Sequence, residues 1–388
     1  QTYIMVILLC LANLFLSFHY FLTIYVNSSF LRNLLVDNKD LTITFIYSVA
    51  ALATCAFFLY ATQFLTRFGA YRFALVLTVI DLLAVNVLSI TRNLSIVLPF
   101  LFLHIAVVPL ILYILDIFLE HFSPKSATTG SVRGIFLTVS NVALVLSPFF
   151  ISLLGVSEND FSYIYKLSSF FLFPLLFIFL FSFRTFRDPP YSHTSIRGEL
   201  YRLFRNINIR STVSANFLLQ LFFSLMVIYF PIYITQTLGF SWSEFGLMLS
   251  IALLPFALLE FPIGLLADRK YGEKEMMGIG FVVIAIFGSL LSFVTTRSFL
   301  IFTTFLFCTR VGAALVETTS ESYFFKKTDE ADADLTGLFR MTRPFAYLVG
   351  PLLALPLIAL FSYQYVFVFL GVLMLFGLYF TASLEDTR

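Results

Sequence analysis

The chain has 388 residues, 60% of them hydrophobic and 12% charged, about half the roughly 25% charged content of a soluble domain. With a mean hydropathy of +0.94 and 51 Phe, it has too few polar side chains to clothe a water-facing globule, so lipid must solvate most of it. A net charge of +2 provides no basic field for a nucleic acid. The three cysteines, Cys10, Cys55 and Cys308, lie inside apolar runs without a CxxC pair and read as reduced packing residues.

A helical span needs about 20 apolar residues, whereas barrel strands alternate over about 10. The runs here are long and do not alternate. Helices are expected near 3–26, 42–65, 70–91, 94–120, 128–154, 161–184, 212–237, 241–267, 274–296, 298–324, 335–361 and 364–383, twelve in all. The first run is too long for the core of a secretory leader and is read as the first span. Turn and charge signals separate the runs at Asp37 to Asp40, Arg67 to Gly69, Arg92 and Asn93, Ser123 to Lys125, Ser157 to Asp160, Asp268 to Gly272, Arg297, and Lys326 to Asp334.

The fold class is therefore an all-α integral membrane protein. A longer connection, 185–211, opens on Pro189 and Pro190 and divides an N-terminal half, 1–184, from a C-terminal half, 212–388. Within it Ile196, Leu200, Leu203, Phe204 and Ile207 recur at helical spacing, with Arg197, Arg202 and Arg205 elsewhere around the wheel. That pattern is a short basic amphipathic helix, expected to tether the halves along the inner leaflet.

Assigning loops to alternate sides puts Arg32, Lys39, Arg92, Lys166 and Arg297 on one face. All the other Lys and Arg except Arg310 fall on the opposite face. Basic residues are retained on the cytoplasmic side, so both termini are expected there, in a multi-pass protein of the cell membrane.

The halves repeat one another. Asn13 matches Asn216 and Pro148 matches Pro351 at an offset of 203, while Asp116 and Glu120 match Glu317 and Glu321 at 201. The loop after the second span, Thr62 to Arg72 (TQFLTRFGAYR), aligns with one gap to the loop after the eighth, Gly264 to Lys274 (GLLADRKYGEK). Thr66 then meets Asp268, Arg67 meets Arg269 and Gly69 meets Gly272. Four matches in chain order mark a duplicated six-helix unit.

Twelve spans, parallel halves and a long central loop resemble the major facilitator superfamily, and GLLADRKYGEK resembles that family's loop signature G-x-x-x-D-R-x-G-R-R/K. In the first half Thr62 and Thr66 stand in place of its glycine and aspartate. The resemblance implies two pseudo-symmetric six-helix bundles rocking about a site near the bilayer midplane. Physically the loop makes sense as a cytoplasmic latch: Gly264 for close helix approach, Asp268 toward the N-terminus of the eleventh span, and Arg269 toward Glu317 or Glu321. Gly272 follows them, with Arg67, Gly69 and Glu120 as first-half equivalents. Arg133 and Arg340 are expected to pair with the acidic residues.

Ionisable groups inside spans need an account, because lipid does not solvate them. Glu317 and Asp116, each one turn before a second carboxylate, are the candidates for taking up a proton. Asp81, Asn86 and Glu260 read as packing or hydrogen-bonding residues. Near the expected midplane lie Asn13, His104, Asn141, Asn216, Gln220, Arg310 and Tyr347, the candidate substrate pathway. The four histidines, His19, His104, His121 and His193, are scattered in sequence, and no metal or cofactor is expected. No HExxH, nucleophile elbow or phosphate loop occurs.

The reading is a secondary active transporter of a small molecule, proton-coupled and monomeric, with the lipid bilayer as its other partner. A passive facilitator or an exporter of amphipathic compounds is the alternative within that class. The fifth span, VALVLSPFFIS from Val142 to Ser152, lacks the glycine pair of the family's drug antiporters. A non-transporting receptor or a membrane enzyme is the alternative outside it.

Overall fold

Inside lipid each backbone N–H and C=O must be satisfied within its own segment, which leaves a chain of unalternating apolar runs only the helix. The computed structural model describes residues 2–122, 129–154, 160–184, 186, 188, 196–294, 296–328 and 333–386. Pro189, Pro190, His193 and the Ser123 to Lys125 turn lie outside the described residues, as do the side chains of Glu120, Arg133 and Asp268.

The described residues form fourteen α-helices and no strand. They are α1 (Thr2–Ile24), α2 (Asn27–Leu34), α3 (Lys39–Phe68), α4 (Ala70–Ile90), α5 (Leu94–Phe122), α6 (Thr129–Leu153) and α7 (Ser162–Ser182). After them come α8 (Ile196–Arg205), α9 (Ile207–Ile232), α10 (Trp242–Leu266), α11 (Glu273–Leu290), α12 (Phe299–Lys327), α13 (Ala333–Leu360) and α14 (Tyr363–Ala382). Twelve helical segments are long and apolar enough to cross a membrane; α8 is not among them, and α2 continues the first. Outward-facing Leu83, Ile90, Phe170, Phe181, Phe261 and Tyr379 give these helices the apolar surface that lipid requires.

Local chemistry accounts for the boundaries that differ from expectation. The chain turns at Tyr25 and Val26 and becomes helical again as α2, because Asn27 is buried and its Oδ1 accepts from Tyr165 Oη at 2.7 Å. The seventh span starts at Ile207, five residues early, because Asn206 Oδ1 caps it, accepting from the N–H of Asn208 at 3.0 Å and of Ile209 at 3.3 Å. Asp160 precedes α7, taking Ser162 N–H at 2.9 Å and Arg92 Nη2 at 2.7 Å. The hydrogen bonds from Ser162, with the Arg92 charge beside them, hold its carboxyl below the usual carboxylate range. Pro109, Pro148, Pro174, Pro255, Pro344, Pro351 and Pro356 all sit inside continuous helices.

The chain separates into two compact units, Gln1–His193 with Ser241–Leu247, and Thr194–Phe240 with Met248–Arg388. In the first, α1 packs on α5, α6 and α7, and α4 on α5 and α7. In the second, α9 packs on α12, α13 and α14, and α11 on α12 and α14. Counted as spans these pairings recur in both units, while α3 on α5 in the first and α13 on α14 in the second are each particular to one unit.

The two loops aligned with one gap close by the same hydrogen bond. Gly69 N–H donates to Leu65 C=O at 2.8 Å, four residues back, and Gly272 N–H to Ala267 C=O at 3.0 Å, five residues back. The extra residue is therefore absorbed as a π-helical turn, Ala267–Tyr271. Both glycines have positive φ, +77° and +80°, which a side chain rarely tolerates.

Helix contact in the second unit relies on glycine. A methyl group at Gly280 of α11 would stand 2.7 Å from the Gly312 carbonyl oxygen of α12, and one at Gly312 would stand 2.7 Å from that of Gly280. On α14, Gly371 lies against Ser289 and Gly377 against the Phe281 ring, both of α11. Small residues let backbones approach where lipid gives no hydrophobic drive. Gly264 is not part of this seam, since a methyl there would make an ordinary 3.9 Å contact with Thr318. Gly280→Leu or Gly312→Leu should lower the stability of the detergent-solubilised protein by about 1–3 kcal/mol or more, with Gly264→Ala close to wild type. Three equal thermal midpoints would show that the seam is not closely packed.

Candidate functional site

In the first unit four helices each contribute a side chain to one buried polar chain of hydrogen bonds and ion-pair contacts. Asp81 of α4 is fully buried. Its Oδ1 meets His104 Nδ1 of α5 at 2.7 Å and its Oδ2 meets His19 Nε2 of α1 at 2.8 Å. The outer nitrogens are also held. His104 Nε2 lies 3.0 Å from Thr23 Oγ1, and His19 Nδ1 lies 2.7 Å from Ser168 Oγ of α7. The rings cross edge to face with centroids 5.3 Å apart. His19, Asp81 and His104 are between 0% and 2% exposed, so water does not solvate the charge in this conformation.

His19 and His104 are thus not scattered. The chain separates them by 85 residues, and the α4–α5 hairpin and the α1–α5 contact bring them to one carboxylate. Of the candidate pathway residues in this unit, His104 is consumed by the cluster. Asn13 is also buried and donates to the Phe136 carbonyl of α6 at 2.8 Å, and Asn141 is half-buried on α6. Asn86 joins α4 to α7 through Ser169 Oγ at 2.8 Å, and Asp116 is half-buried on α5.

In the second unit Arg310 is 2% exposed on α12, its guanidinium 5.0 Å from the centre of the Phe222 ring of α9. On α9, Asn216 donates to Thr342 Oγ1 of α13 at 2.8 Å, and Gln220 is buried with no hydrogen-bond partner for its Oε1. Tyr347 is half-buried on α13. Glu317, two turns along α12 from Arg310, lies in the field of Glu260, Glu321, Arg343 and Arg340. Glu321 accepts from Arg340 Nη1 at 2.6 Å.

Around the two glycine turns, Arg269 is exposed on the π turn and takes no part in the Glu321 contact. Arg67 lies over the Phe68 ring at 5.5 Å and Lys270 over the Tyr271 ring at 4.9 Å. Two acids that the sequence reading passed over sit here. Asp188 reaches the start of α4, accepting Ala70 N–H at 2.8 Å, close enough that a methyl on Gly69 would lie 2.9 Å from its other oxygen. Glu273, buried at the start of α11, accepts from Ser322 Oγ at 3.0 Å and pairs with Lys326 of α12. Each carboxylate lies at a helix N-terminus, where the dipole favours it. At the far end of α12, Lys327 donates to Glu385 at 3.0 Å. That bond, with one from Asn208, keeps the Glu385 carboxyl below its usual range.

Twelve apolar helices in two compact units that share five helix pairings define the class: a multi-pass membrane protein. The sequence pattern of the Major Facilitator Superfamily matches residues 212–387. The fold is similar over nearly the whole chain to solved transporters. An auto-inhibited POT family peptide transporter superposes with a TM-score of 0.77 at 12% identity, covering 99% of this chain and 98% of that one. A POT family transporter in complex with a thioalcohol-conjugated peptide gives 0.75 at 14%, covering 96% and 94%. The nucleoside transporter NupG gives 0.74 at 13%, covering 98% of each. No curated protein sequence matches the chain. The superfamily's sequence pattern thus falls in the second half of the chain, and the likeness of fold extends over both halves.

The Asp188 contact gives a direct test of how the first half manages without the motif aspartate. Asp188→Ala should cost about 1 kcal/mol, the usual value of a helix cap, read as a lower thermal midpoint. Asp188→Asn should recover part of that loss through its remaining carbonyl oxygen. An Ala variant with an unchanged midpoint would remove the contact from the account.

Proposed function

We propose that this chain is a secondary active transporter that moves a small polar organic molecule by alternating access, coupled to protons, in the cell membrane with both termini cytoplasmic. The observation that carries the reading is Arg310, a guanidinium buried in the middle of an apolar span with its face on the Phe222 ring. A charge so placed is expensive in lipid and belongs to a substrate or ion path by default. The donors of a guanidinium lie in its plane and fit a carboxylate two at a time, so the substrate should carry an anionic or strongly accepting group. The similar POT family structures hold a thioalcohol-conjugated peptide and 5-aminolevulinic acid, which supports substrates of this size and polarity.

Glu317 is the proposed proton-linked carboxylate of the second half. Two neighbouring carboxylates and two guanidinium groups act on it, and three of these four, Glu260, Arg340 and Arg343, stand on other helices whose movement would change its surroundings. The excess of basic residues on the loops shared with the termini supports the orientation.

The test begins with a thermal-shift panel of sugars, amino acids, peptides, nucleosides and organic anions, since a ligand at 100 times its Kd stabilises by about 2.7 kcal/mol. With the hit in hand, Arg310→Ala should fold and bind at least tenfold more weakly. Glu317→Gln in proteoliposomes should retain exchange and lose accumulation driven by a pH gradient. A folded Arg310→Ala protein with normal binding would refute the role of Arg310, and unchanged pH dependence in Glu317→Gln would refute that of Glu317.

A further inference from the structure

The cluster around Asp81 has no counterpart in the second half. At the offset of 203 His19 falls on Phe222 and Asp81 on Ile284, and at 201 His104 falls on Phe305. The same helix pairings are built there from apolar side chains, so the wiring does not require ionisable groups at these places. Burying three of them loses hydration that apolar packing of similar volume would not lose.

We propose that His19, Asp81 and His104 form a proton-holding site in which one proton is shared by two imidazoles about a single carboxylate. With both rings neutral the buried centre carries one negative charge; one added proton makes it neutral, and a second would make it positive. In an interior sealed from water the neutral state is the one of lowest energy. From α1 the centre is faced by His19, from α4 by Asp81 and from α5 by His104. The nearest ionisable groups of α7 point elsewhere, Tyr165 to Asn27 and Lys166 over the Tyr163 ring. Tyr47 of α3 acts on Tyr165, and the charges acting on Asp81 are those of the two histidines.

The hydroxyl groups at the two ends make the sharing possible without moving a heavy atom. Thr23 Oγ1 has the carbonyls of His19 at 3.2 Å and Tyr20 at 3.1 Å as alternative acceptors, and Ser168 Oγ has that of His19 at 3.2 Å. When a ring is neutral its hydroxyl donates to the outer nitrogen. When the ring gains a proton the hydroxyl turns to a carbonyl and accepts the new N–H. On release the proton leaves the outer nitrogen for water or a carrier group and the hydroxyl turns back. The contacts of the outer nitrogens with Thr23 and Ser168 are kept in both states, as a site that loads and unloads requires.

The three ligand atoms lie within 4.8 Å of one another, so a divalent metal is the competing occupant. The geometry favours the proton. The two nitrogens approach different carboxylate oxygens at hydrogen-bond distance, whereas a chelated ion needs both within about 2.0–2.1 Å of one point. What the proton drives rests on the transporter reading above; that a proton is held does not.

The experiment is nitrogen NMR of the full chain labelled at histidine, in nanodiscs, with the proton itself as probe. Two of the four histidines should show shifts between neutral and charged imidazole that move together with pH. In Asp81→Asn both should become neutral, with one proton fewer taken up in a pH jump followed by an indicator dye. Should Asp81→Asn fail to fold, His104→Gln keeps an amide between Asp81 and Thr23 and should leave His19 alone carrying the proton. Rings that stay neutral in wild type at every pH between about 5 and 8 would overturn the proposal. So would stoichiometric zinc retention that His104→Gln abolishes. Flux indifferent to a pH gradient alongside the shared-proton signals would remove the coupling reading and support the centre.

Discussion

A carboxylate placed among lipid-spanning helices has to find its counter-charge inside the protein, and the way Asp81 does so organises the first half of this molecule. Each oxygen takes one imidazole, and each imidazole is held on its far side by a hydroxyl group. The chain of contacts runs through α1, α4, α5 and α7, four of the helices that make up the unit. In water such a network would be worth little; away from water each contact strengthens and each lost partner costs more. The α1, α4, α5 and α7 packing and the polar chain are consequently two aspects of one arrangement.

The second half solves the same packing problem in the opposite way. Where the first unit places histidine and aspartate, the second has Phe222, Ile284 and Phe305, and the close approach of α11, α12 and α14 comes from glycine. The helices α1, α4, α5 and α7 contain no glycine at all. The second unit keeps ionisable groups at other places, among them Arg310, Glu317 and Glu321 on α12 and the buried Glu273 on α11. The pairings of α1 and α4 recur in those of α9 and α11, while the chemistry of the contacts differs.

Span number and the duplication were legible because apolar run length and the repeat are properties of the linear chain. Helix ends were less so, since Asn206 and Asn27 act through one or two side-chain hydrogen bonds that hydropathy does not register. The missed polar centre was within reach. Asp81 lies eleven residues before Arg92 and His104 eleven after Asn93, so an antiparallel hairpin turning at those two residues sets them at equal depth. His19 carried no such signal, because only the non-local packing of α1 on α5 brings it to Asp81. Asp188 was hidden for a related reason: it caps a helix 118 residues earlier in the chain.

The π turn of Ala267–Tyr271 bears on what equivalence means between the two halves. Counting forward from the preceding helix, Arg67 corresponds to Arg269; counting back from the glycine, it corresponds to Lys270. The contacts side with the second count, because Arg67 covers the aromatic ring just before Gly69 and Lys270 covers the one just before Gly272. The additional residue of the π turn thus divides one position of the first half between two of the second, with the guanidinium matching in register and the ammonium group in surroundings. A family signature read as letters in a row assigns the role to the arginine, while the geometry of the turn gives its place to the lysine.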